Sequence, residues 1–279
     1  MKVNVIAEIG INHQGDIELM KSMMLSAKKC GADYVKSQKR EPKLCLTEEQ
    51  YWKPYDSPNS FGSTYGEHKE ALEFSEDEWE ELFFFARENN INLFASVFDE
   101  VSANFMNEQG ARLFKIGSAE VGKLDLLEHV KSFNKPIILS TGMSTIEEID
   151  KAVEVLRGSD LTIMHCTSSY PCKEEDVNLN VIKTLRDRYS LPVGLSGHYV
   201  QGSGAIECAA TALGVTWVER HFTLDRTMKG SDQSSSLEPT GLERVIKSIR
   251  SVEKAMGEDE KVILNCEKEA RLKFKGEPK

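Results

Sequence analysis

Short apolar runs alternate with longer segments whose apolar residues recur every three or four positions, almost to the end of the chain. Most of the short runs are continuously apolar, which is typical of parallel strands that are buried on both faces. The longer segments have the periodicity of amphipathic helices. The pattern predicts strands at 3–9, 34–38, 92–97, 113–117, 136–140, 161–166, 192–196 and 217–222.

Capping residues mark the ends of several predicted helices. Ser75 is followed three residues later by Glu78, which is the pattern of a capping box. Ser144 precedes an acidic first turn and is the predicted start of another helix. Glycine follows four of the five predicted helices within two residues. These helices are expected at 16–30, 75–89, 144–157, 202–213 and 240–255.

Eight strand–helix units in a chain of this length predict a single-domain (β/α)₈ TIM barrel over residues 1–257. Residues 258–279 are polar and are expected to form a C-terminal tail or a short helix. A doubly wound open sheet is the alternative fold, but no GxGxxG sequence follows the first strand. The long connection at 39–72 is rich in proline, tyrosine and charge, and we expect it to be functional, for example as a lid.

The composition narrows the class of protein further. The 279 residues are 40% hydrophobic and 29% charged, and the net charge of −10 argues against nucleic-acid binding. The six cysteines have no CxxC spacing, so we expect reduced thiols and no structural zinc. No apolar run approaches the ~20 residues of a membrane span, and no signal-peptide pattern precedes the first strand. We therefore expect a cytoplasmic protein that binds neither membrane nor nucleic acid.

Polar residues recur at the end of every predicted strand. In a barrel these positions share the carboxyl rim, where catalytic residues lie. Any one of them taken alone is more often an ordinary solvated residue, but their recurrence on all eight strands indicates an active site. They are Glu8, Lys36, Gln38, Ser96, Lys115, Ser118, Glu120, Ser140, Thr141, Thr167, Ser168, Ser196, His198, Glu219 and His221.

Two histidines and a carboxylate lie on the last two predicted strands. Glu219 and His221 are two residues apart, so their side chains point the same way, and His198 follows the neighbouring strand. Two imidazoles with a carboxylate suit a divalent ion such as Mn²⁺, Zn²⁺, Co²⁺ or Fe²⁺. Ordinary histidines satisfied by hydrogen bonds are the alternative interpretation, and the spacing alone does not decide between the two.

Lys36 and Lys115 supply positive charge at the same rim, and serine hydroxyls accompany them. Such groups bind phosphates and carboxylates. Structural ion pairs with Glu8 or Glu120 are one alternative, and a Schiff-base lysine, as in barrel aldolases, is another.

Seven segments that contain these residues carry a family resemblance. They are AEIGINHQGD at 7–16, GADYVKSQ at 31–38, FKIGSAE at 114–120, ILSTGMST at 138–145, HCTSSYP at 165–171, GLSGH at 194–198 and ERHFTLDRTMKGSDQ at 219–233. Through them the chain resembles the sialic acid synthase family, which makes N-acetylneuraminate, legionaminate and pseudaminate. The segments span nearly the whole chain.

The resemblance implies a role for each matching residue. His198 and His221 resemble the metal ligands, with Glu219 beside the metal. Glu8 resembles an acid near the reacting carbons, and either it or Glu120 is expected to move protons. The phosphoenolpyruvate pocket is expected to contain Lys36, Ser96, Lys115, Ser118, Ser140 and Ser196. Acceptor contacts are expected from Gln38, Glu120, Ser168, Tyr170 and Asp232.

The activity implied is a metal-dependent transferase reaction. Phosphoenolpyruvate condenses with an amino-sugar aldehyde such as N-acetylmannosamine, giving an N-acetylneuraminate-type 3-deoxy nonulosonic acid and phosphate. Manganese is the expected ion, with magnesium or cobalt as alternatives, and a homodimer is expected. A Schiff-base pyruvate–sugar aldolase and a non-catalytic sugar-binding barrel are the competing functions.

The chain departs from the family pattern in three places. Family members usually carry a C-terminal antifreeze-like domain whose arginine covers the acceptor's N-acyl group, and this sequence ends at Lys279. We therefore expect N-acyl recognition to come from elsewhere or to be absent. Ser168 replaces a typical asparagine, as in legionaminate and pseudaminate synthases. Val97 follows Ser96 where proline is usual.

Overall fold

Eight parallel strands pair in sequence order, and the last pairs back with the first to close a barrel. This computed structural model describes residues 2–276. The closure confirms the (β/α)₈ barrel and excludes an open doubly wound sheet. The strands are β1 (Asn4–Gly10), β2 (Tyr34–Lys39), β3 (Leu93–Val97), β4 (Phe114–Ile116), β5 (Ile137–Ser140), β6 (Leu161–Cys166), β7 (Val193–Gly197) and β8 (Trp217–His221).

Helices connect the strands and pack around them. Their apolar faces follow the helical period: α11 buries Leu242, Val245, Ile246 and Ile249. The helices are α1 (Ile17–Lys29), α2 (Pro42–Cys45), α3 (Glu48–Tyr51), α4 (Tyr65–Glu70), α5 (Glu76–Glu88), α6 (Glu100–Glu108), α7 (Leu124–Ser132), α8 (Ile146–Val155), α9 (Asn180–Tyr189), α10 (Ala205–Ala212), α11 (Pro239–Met256) and α12 (Lys268–Lys275). None of these helices is long and apolar enough to cross a membrane.

Two predicted helix starts have different outcomes. The capping box of Ser75 and Glu78 is present at the start of α5. The start predicted at Ser144 was wrong by one residue, because Thr145 caps α8 and forms the capping box with Glu148. The hydroxyl of Ser144 instead donates to the carbonyl of Gly142 at 3.2 Å, inside the preceding turn.

The long connection after β2 contains three short helices, α2 to α4. Capping boxes begin two of them, made by Thr47 with Gln50 at α3 and by Thr64 with Glu67 at α4. Arg40 ties the beginning of the connection to its end, since its Nε lies 2.7 Å from a carboxylate oxygen of Glu73. The connection is therefore folded onto the barrel, close to the carboxyl ends of the strands.

The barrel interior has an apolar layer near the amino ends of the strands. Tyr34 and Trp217 pack against its buried members, which are Ile6, Phe94, Leu113, Ile138 and Met164. Because side chains alternate along a strand, the residues two positions further on face the same interior. Those positions hold Glu8, Ser96, Lys115, Ser140, Cys166, Lys36 and Glu219, so the interior changes from apolar to polar within one layer.

The predicted tail begins after α11. It contains one turn of 3₁₀ helix at Asn265–Glu267 and then α12, and no residue of α12 is buried. Several of its large apolar side chains are exposed, and Phe274 is the most exposed of them at 76%. Met1 and residues 277–279 lie outside the described residues.

Candidate active site

Strand register places the predicted site residues side by side. Glu8 on β1 is level with both Lys36 on β2 and His221 on β8. Ser96 is level with Lys115, and Ser196 with Glu219. The carboxyl ends of neighbouring strands therefore bring acids, lysines and a histidine into one layer.

A cavity of about 300 Å³ opens at these strand ends. Every residue to which the family resemblance assigns a role lies in its lining. They are Glu8, Lys36, Gln38, Ser96, Lys115, Ser118, Glu120, Ser140, Ser168, Tyr170, Ser196, His198, Glu219, His221 and Asp232. Thr141 and Thr167, which the sequence also placed at the strand ends, do not line it.

Buried ion pairs form the base of the cavity. Lys115 Nζ donates to both carboxylate oxygens of Glu219, at 3.0 and 2.9 Å. Lys36 Nζ lies 2.7 Å from Glu8 Oε2 and 3.6 Å from Glu219 Oε2, and donates to Ser96 Oγ at 2.9 Å. The ion pair of Lys36 with Glu8, left open by the sequence, is thus present. Both carboxylate oxygens of Glu219 contact lysine, so Glu219 balances the charge of the two ammonium groups.

These contacts set the charge states of the cluster. Burial raises the pKa of Glu219, but Lys115 and Lys36 outweigh it and hold that pKa well below its ordinary value. Burial lowers the pKa of Lys36, whereas the charges of Glu219 and Glu8 more than compensate and raise it. Burial together with the neighbouring Lys36 lowers the pKa of Lys115, despite the opposing effect of Glu219. The cluster holds positive charge in a buried position where a substrate anion can reach it.

The two histidine rings lie together, with centroids 5.3 Å apart. His198 Nδ1 donates to the carbonyl oxygen of Thr167 at 2.9 Å. Since a carbonyl only accepts, the proton is on Nδ1 and the Nε2 lone pair is available, 3.1 Å from the Tyr170 hydroxyl. Burial and the neighbouring His221 lower the pKa of His198 to about 3, so the ring is neutral near pH 7.

His221 has a buried ring nitrogen without a partner. Its Nδ1 makes no hydrogen bond, and the nearest carboxylate oxygen, Asp232 Oδ2, is 3.7 Å away. Leaving a buried polar atom unpaired costs about 1–3 kcal/mol, which is typical of a site that a ligand completes. No group of three His, Cys, Asp or Glu residues within 2–276 is arranged to hold a metal ion. Two imidazoles with Asp232 nearby nevertheless fit a divalent cation that keeps positions open for other ligands.

Small polar side chains surround Gly142 on another side of the cavity. Its N–H donates to Ser118 Oγ at 3.0 Å and to Cys166 Sγ at 3.1 Å. A Cβ atom at residue 142 would lie only 2.2 Å from Ser168 Oγ. Ser140 Oγ is buried without a hydrogen bond. This cluster therefore offers hydroxyl and amide groups to an anionic ligand.

Two basic residues of the site were missed in the sequence analysis. Arg40 lines the cavity, stacks on the ring of Phe98 at 4.1 Å and hydrogen bonds to Gln38 Oε1. Lys69, on α4, also lines it, and burial and Arg40 lower the pKa of Lys69 to about 8. Both come from the long connection rather than from a strand, so the strand-end pattern that located the other residues carried no signal for them.

Met143 was also missed. It lies at the rim of the cavity, is 72% exposed and has a positive φ of 60°. A positive φ is uncommon outside glycine, so the backbone at this position is set by a tight turn. The neighbouring glycine and serine were the only hint of this turn in the sequence.

The chain is similar to proteins of known activity. The sequence profile of the NeuB family matches residues 23–261. The N-acetylneuraminate-9-phosphate synthase of Mus musculus is 41% identical over 266 residues, which are 94% of this chain and 74% of that protein. The N,N'-diacetyllegionaminic acid synthase of Campylobacter jejuni is 38% identical over 263 residues, which are 92% of this chain and 78% of that protein.

A solved structure shows the same architecture. The N-acetylneuraminic acid synthetase of Leptospira borgpetersenii, in complex with citrate, superposes with a TM-score of 0.84 at 30% sequence identity. The superposition covers 97% of this chain and 90% of that one.

Proposed function

The chain belongs to the NeuB family of phosphoenolpyruvate-condensing synthases that make nonulosonic acids, and we propose that its acceptor is an N-acylated hexosamine in the open-chain aldehyde form. The observation that carries this proposal is the cavity itself. One rim holds buried lysines with a serine cluster and, facing them, two imidazoles. The lysines and serines suit phosphoenolpyruvate, which is a trianion. The imidazoles suit a metal ion that polarises the aldehyde of the acceptor.

The lysines and serines bind and orient phosphoenolpyruvate. Lys36 and Lys115 are already charge-balanced by Glu8 and Glu219, so the empty site is not a cluster of unopposed cations. Gly142 N–H, Ser118 and Ser140 supply donors to the phosphate or the carboxylate. Such positioning holds carbon 3 of the donor against the aldehyde carbon and supplies several kcal/mol of the barrier reduction.

His198 and His221 are the residues that would hold a divalent ion. Bound there, Mn²⁺ (or Mg²⁺ or Co²⁺) would supply Lewis-acid polarisation of the aldehyde oxygen. The hydrogen bond from His198 Nδ1 to Thr167 orients the ring and keeps Nε2 free as a ligand atom.

Glu120 is placed to move a proton at the new hydroxyl. It lines the cavity, and its burial raises the pKa of the carboxyl group, although Lys123 and Arg40 oppose the change. A carboxyl group that keeps its proton to higher pH is suited to donate it to the oxygen that was the aldehyde. Glu8, beside Lys36, is suited to accept a proton from the water that adds at carbon 2.

The reaction forms one carbon–carbon bond and releases inorganic phosphate. The π electrons of the C2=C3 bond of phosphoenolpyruvate form the new bond from carbon 3 to the aldehyde carbon, and the aldehyde oxygen takes a proton. Water adds to carbon 2 and loses a proton, which gives a hemiketal phosphate. The bond from carbon 2 to the phosphate oxygen then breaks, the C2 hydroxyl gives its proton to the leaving phosphate, and the 2-keto acid remains.

A Schiff-base aldolase is the competing activity. Lys115 is the lysine to test, because its pKa is lowered, whereas the pKa of Lys36 is raised. Incubation with pyruvate and borohydride would trap a lysine adduct in an aldolase and leave a synthase unmodified.

The deciding assay measures phosphate release from phosphoenolpyruvate with a panel of acceptors. The panel contains N-acetylmannosamine, its 6-phosphate, a diacetylated diamino hexose and plain mannose. We expect release with at least one N-acylated acceptor and a product whose mass equals acceptor plus pyruvate. Release with plain mannose alone would contradict an N-acylated acceptor.

We also propose that the enzyme is a cytoplasmic homodimer. Phosphoenolpyruvate is a cytoplasmic metabolite, and the connection at 39–72 exposes Leu44 and Trp52, which a neighbouring subunit can cover. Sedimentation equilibrium with the wild type and with Trp52→Ser tests this assembly, and a monomeric wild type would contradict it.

A further inference from the structure

A second cavity opens at the opposite, amino-terminal end of the barrel and has a volume of about 600 Å³. This amino-end cavity is larger than the active-site cavity and lies within the range of small-molecule sites. The mechanism proposed above uses none of its residues. Its lining includes Tyr34, Arg87, Phe94, Arg112, Leu113 and Trp217.

Aromatic and aliphatic side chains form the floor of this cavity. The rings of Tyr34 and Trp217 are 5.0 Å apart and tilted by 48°, and Phe94 lies edge-on to Tyr34 at 5.9 Å. Tyr34 and Trp217 are only half-buried, whereas Phe94 and Leu113 are buried. Within residues 2–276, neither the Tyr34 hydroxyl nor the Trp217 indole N–H has a hydrogen-bond partner. The floor therefore combines an apolar aromatic surface with two unused donors.

Two arginines border the same cavity. Arg87 lies in the last turn of α5, and Arg112 precedes β4. In the described part of the chain, neither guanidinium makes an ion pair or a hydrogen bond. The lining also holds Asp160, which is the single carboxylate against these two cations. The rim thus carries a net positive charge in a protein whose overall net charge is −10.

We propose that the amino-end cavity binds a small planar organic anion. An aromatic or heteroaromatic ring would lie against Tyr34 and Trp217, and its carboxylate or phosphate would be bound by Arg87 and Arg112. Arginine binds both kinds of anion through paired N–H groups, and an aromatic floor favours a flat ring.

The cavity and the active site share the same strands. Leu113 and Lys115 are two residues apart, as are Trp217 and Glu219, so each pair faces the barrel interior from one strand. A ligand that moves Leu113 or Trp217 would shift one end of the Lys115–Glu219 pair. If the proposed function is correct, occupancy of the amino-end cavity therefore changes the KM for phosphoenolpyruvate.

Binding is tested without catalysis, so that failure of the proposed function does not affect the result. Indole-3-acetate and phenyl phosphate are titrated by calorimetry into the full chain in the presence of saturating phosphoenolpyruvate. Neutral indole-3-acetamide is the ligand control. We expect one saturable site for at least one anion, with affinity ~10-fold weaker for Arg112→Ala.

Arg157→Ala is the matched control variant, because Arg157 is an exposed arginine that pairs with Glu154 outside the cavity. The affinity of Arg157→Ala for each anion should equal that of the wild type. The two anions separate a carboxylate site from a phosphate site. Absence of saturable binding in the presence of phosphoenolpyruvate, or wild-type affinity in both Arg112→Ala and Arg87→Ala, would overturn the site.

The kinetic arm measures the KM for phosphoenolpyruvate with and without the bound probe. We expect the probe to change this KM in the wild type and not in Arg112→Ala. Without the probe, the activity of Arg112→Ala should equal that of the wild type. Binding without any change in KM or kcat would overturn the coupling between the two ends of the barrel.

Discussion

Lys115 on β4 and Glu219 on β8 are joined across the barrel interior by two hydrogen bonds of 3.0 and 2.9 Å. The two strands lie opposite each other in the ring of eight. The pair therefore bridges the interior directly above the apolar layer. Lys36 joins it through Glu219 and extends the charged layer to β2.

Glu219→Gln should destabilise the free enzyme. Removing one member of a buried ion pair leaves an uncompensated charge and typically costs about 3–5 kcal/mol. Phosphoenolpyruvate would restore negative charge beside the lysines, so its stabilising effect should be larger in the variant than in the wild type. Denaturant unfolding with and without phosphoenolpyruvate measures both effects. Glu154→Gln, in an exposed pair, is the control and should change stability by less than about 0.5 kcal/mol.

Lys115→Ala should raise the KM for phosphoenolpyruvate by about 10- to 100-fold, because a charge-assisted hydrogen bond to the donor is lost. The KM for the acceptor sugar should change much less, since Lys115 lies at the base of the cavity among the donor-binding groups. Steady-state kinetics with each substrate varied in turn separates the two constants. An unaltered KM for phosphoenolpyruvate would place the donor elsewhere.

His221→Ala should abolish metal-dependent activity while the fold is retained. The unpaired Nδ1 of the buried ring makes no hydrogen bond that the fold would lose. Direct Mn²⁺ binding, followed by electron paramagnetic resonance, should weaken together with activity. His129→Ala is the matched histidine control, because His129 lies on α7 outside the cavity and hydrogen bonds to Asn104 Oδ1. Full activity of His221→Ala would remove the metal from the scheme.

Gly142→Ala should impair the enzyme more than Gly122→Ala. The added Cβ at residue 142 would lie within 3.0 Å of the side chains of Ser118, Cys166 and Ser168, whereas nothing lies within 4 Å of a Cβ at residue 122. Displacing the serine cluster by a fraction of an ångström should lower kcat/KM by ~10-fold or more. Equal kinetics for the two variants would show that the donor does not use this cluster.

The buried ring of His13 should make the unfolding free energy fall at acid pH. Burial lowers the pKa of His13 to about 3, despite a backbone hydrogen bond that opposes the change, and the ring stacks on Phe74 at 4.2 Å. The unfolded chain takes up this proton near pH 6.5 and the folded chain does not. The stabilisation is complete above pH 6.5 and is lost as the pH falls toward 3. Between pH 7 and pH 5 this site alone should remove about 2 kcal/mol from the unfolding free energy.

Urea unfolding of the wild type and His13→Gln at pH 7, 6 and 5 measures this contribution. The variant lacks the titrating ring, so its unfolding free energy should fall by about 2 kcal/mol less than that of the wild type between pH 7 and pH 5. Parallel pH profiles for the two proteins would show that His13 does not cause the loss.

The order of the strands and the identity of most site residues could be predicted from local pattern. Strands such as β6 are buried along their whole length, so most of their residues are apolar on both faces, and this leaves a signal within a few residues. Their last residues share one rim in any closed barrel, so Glu8, Lys36 and His221 could be assigned to one site before any distance was known.

The amino acid sequence thus determined the barrel, the residues that line the cavity at its carboxyl rim, and the family. Only the tertiary structure showed that Lys115 pairs with Glu219, 104 residues away. It also brought Arg40 and Lys69 from the long connection into the cavity, and it opened a second cavity between Tyr34 and Trp217 at the other end. Local periodicity specifies which face of a strand is buried, whereas contacts across the interior depend on closure, which joins residues that share no local pattern.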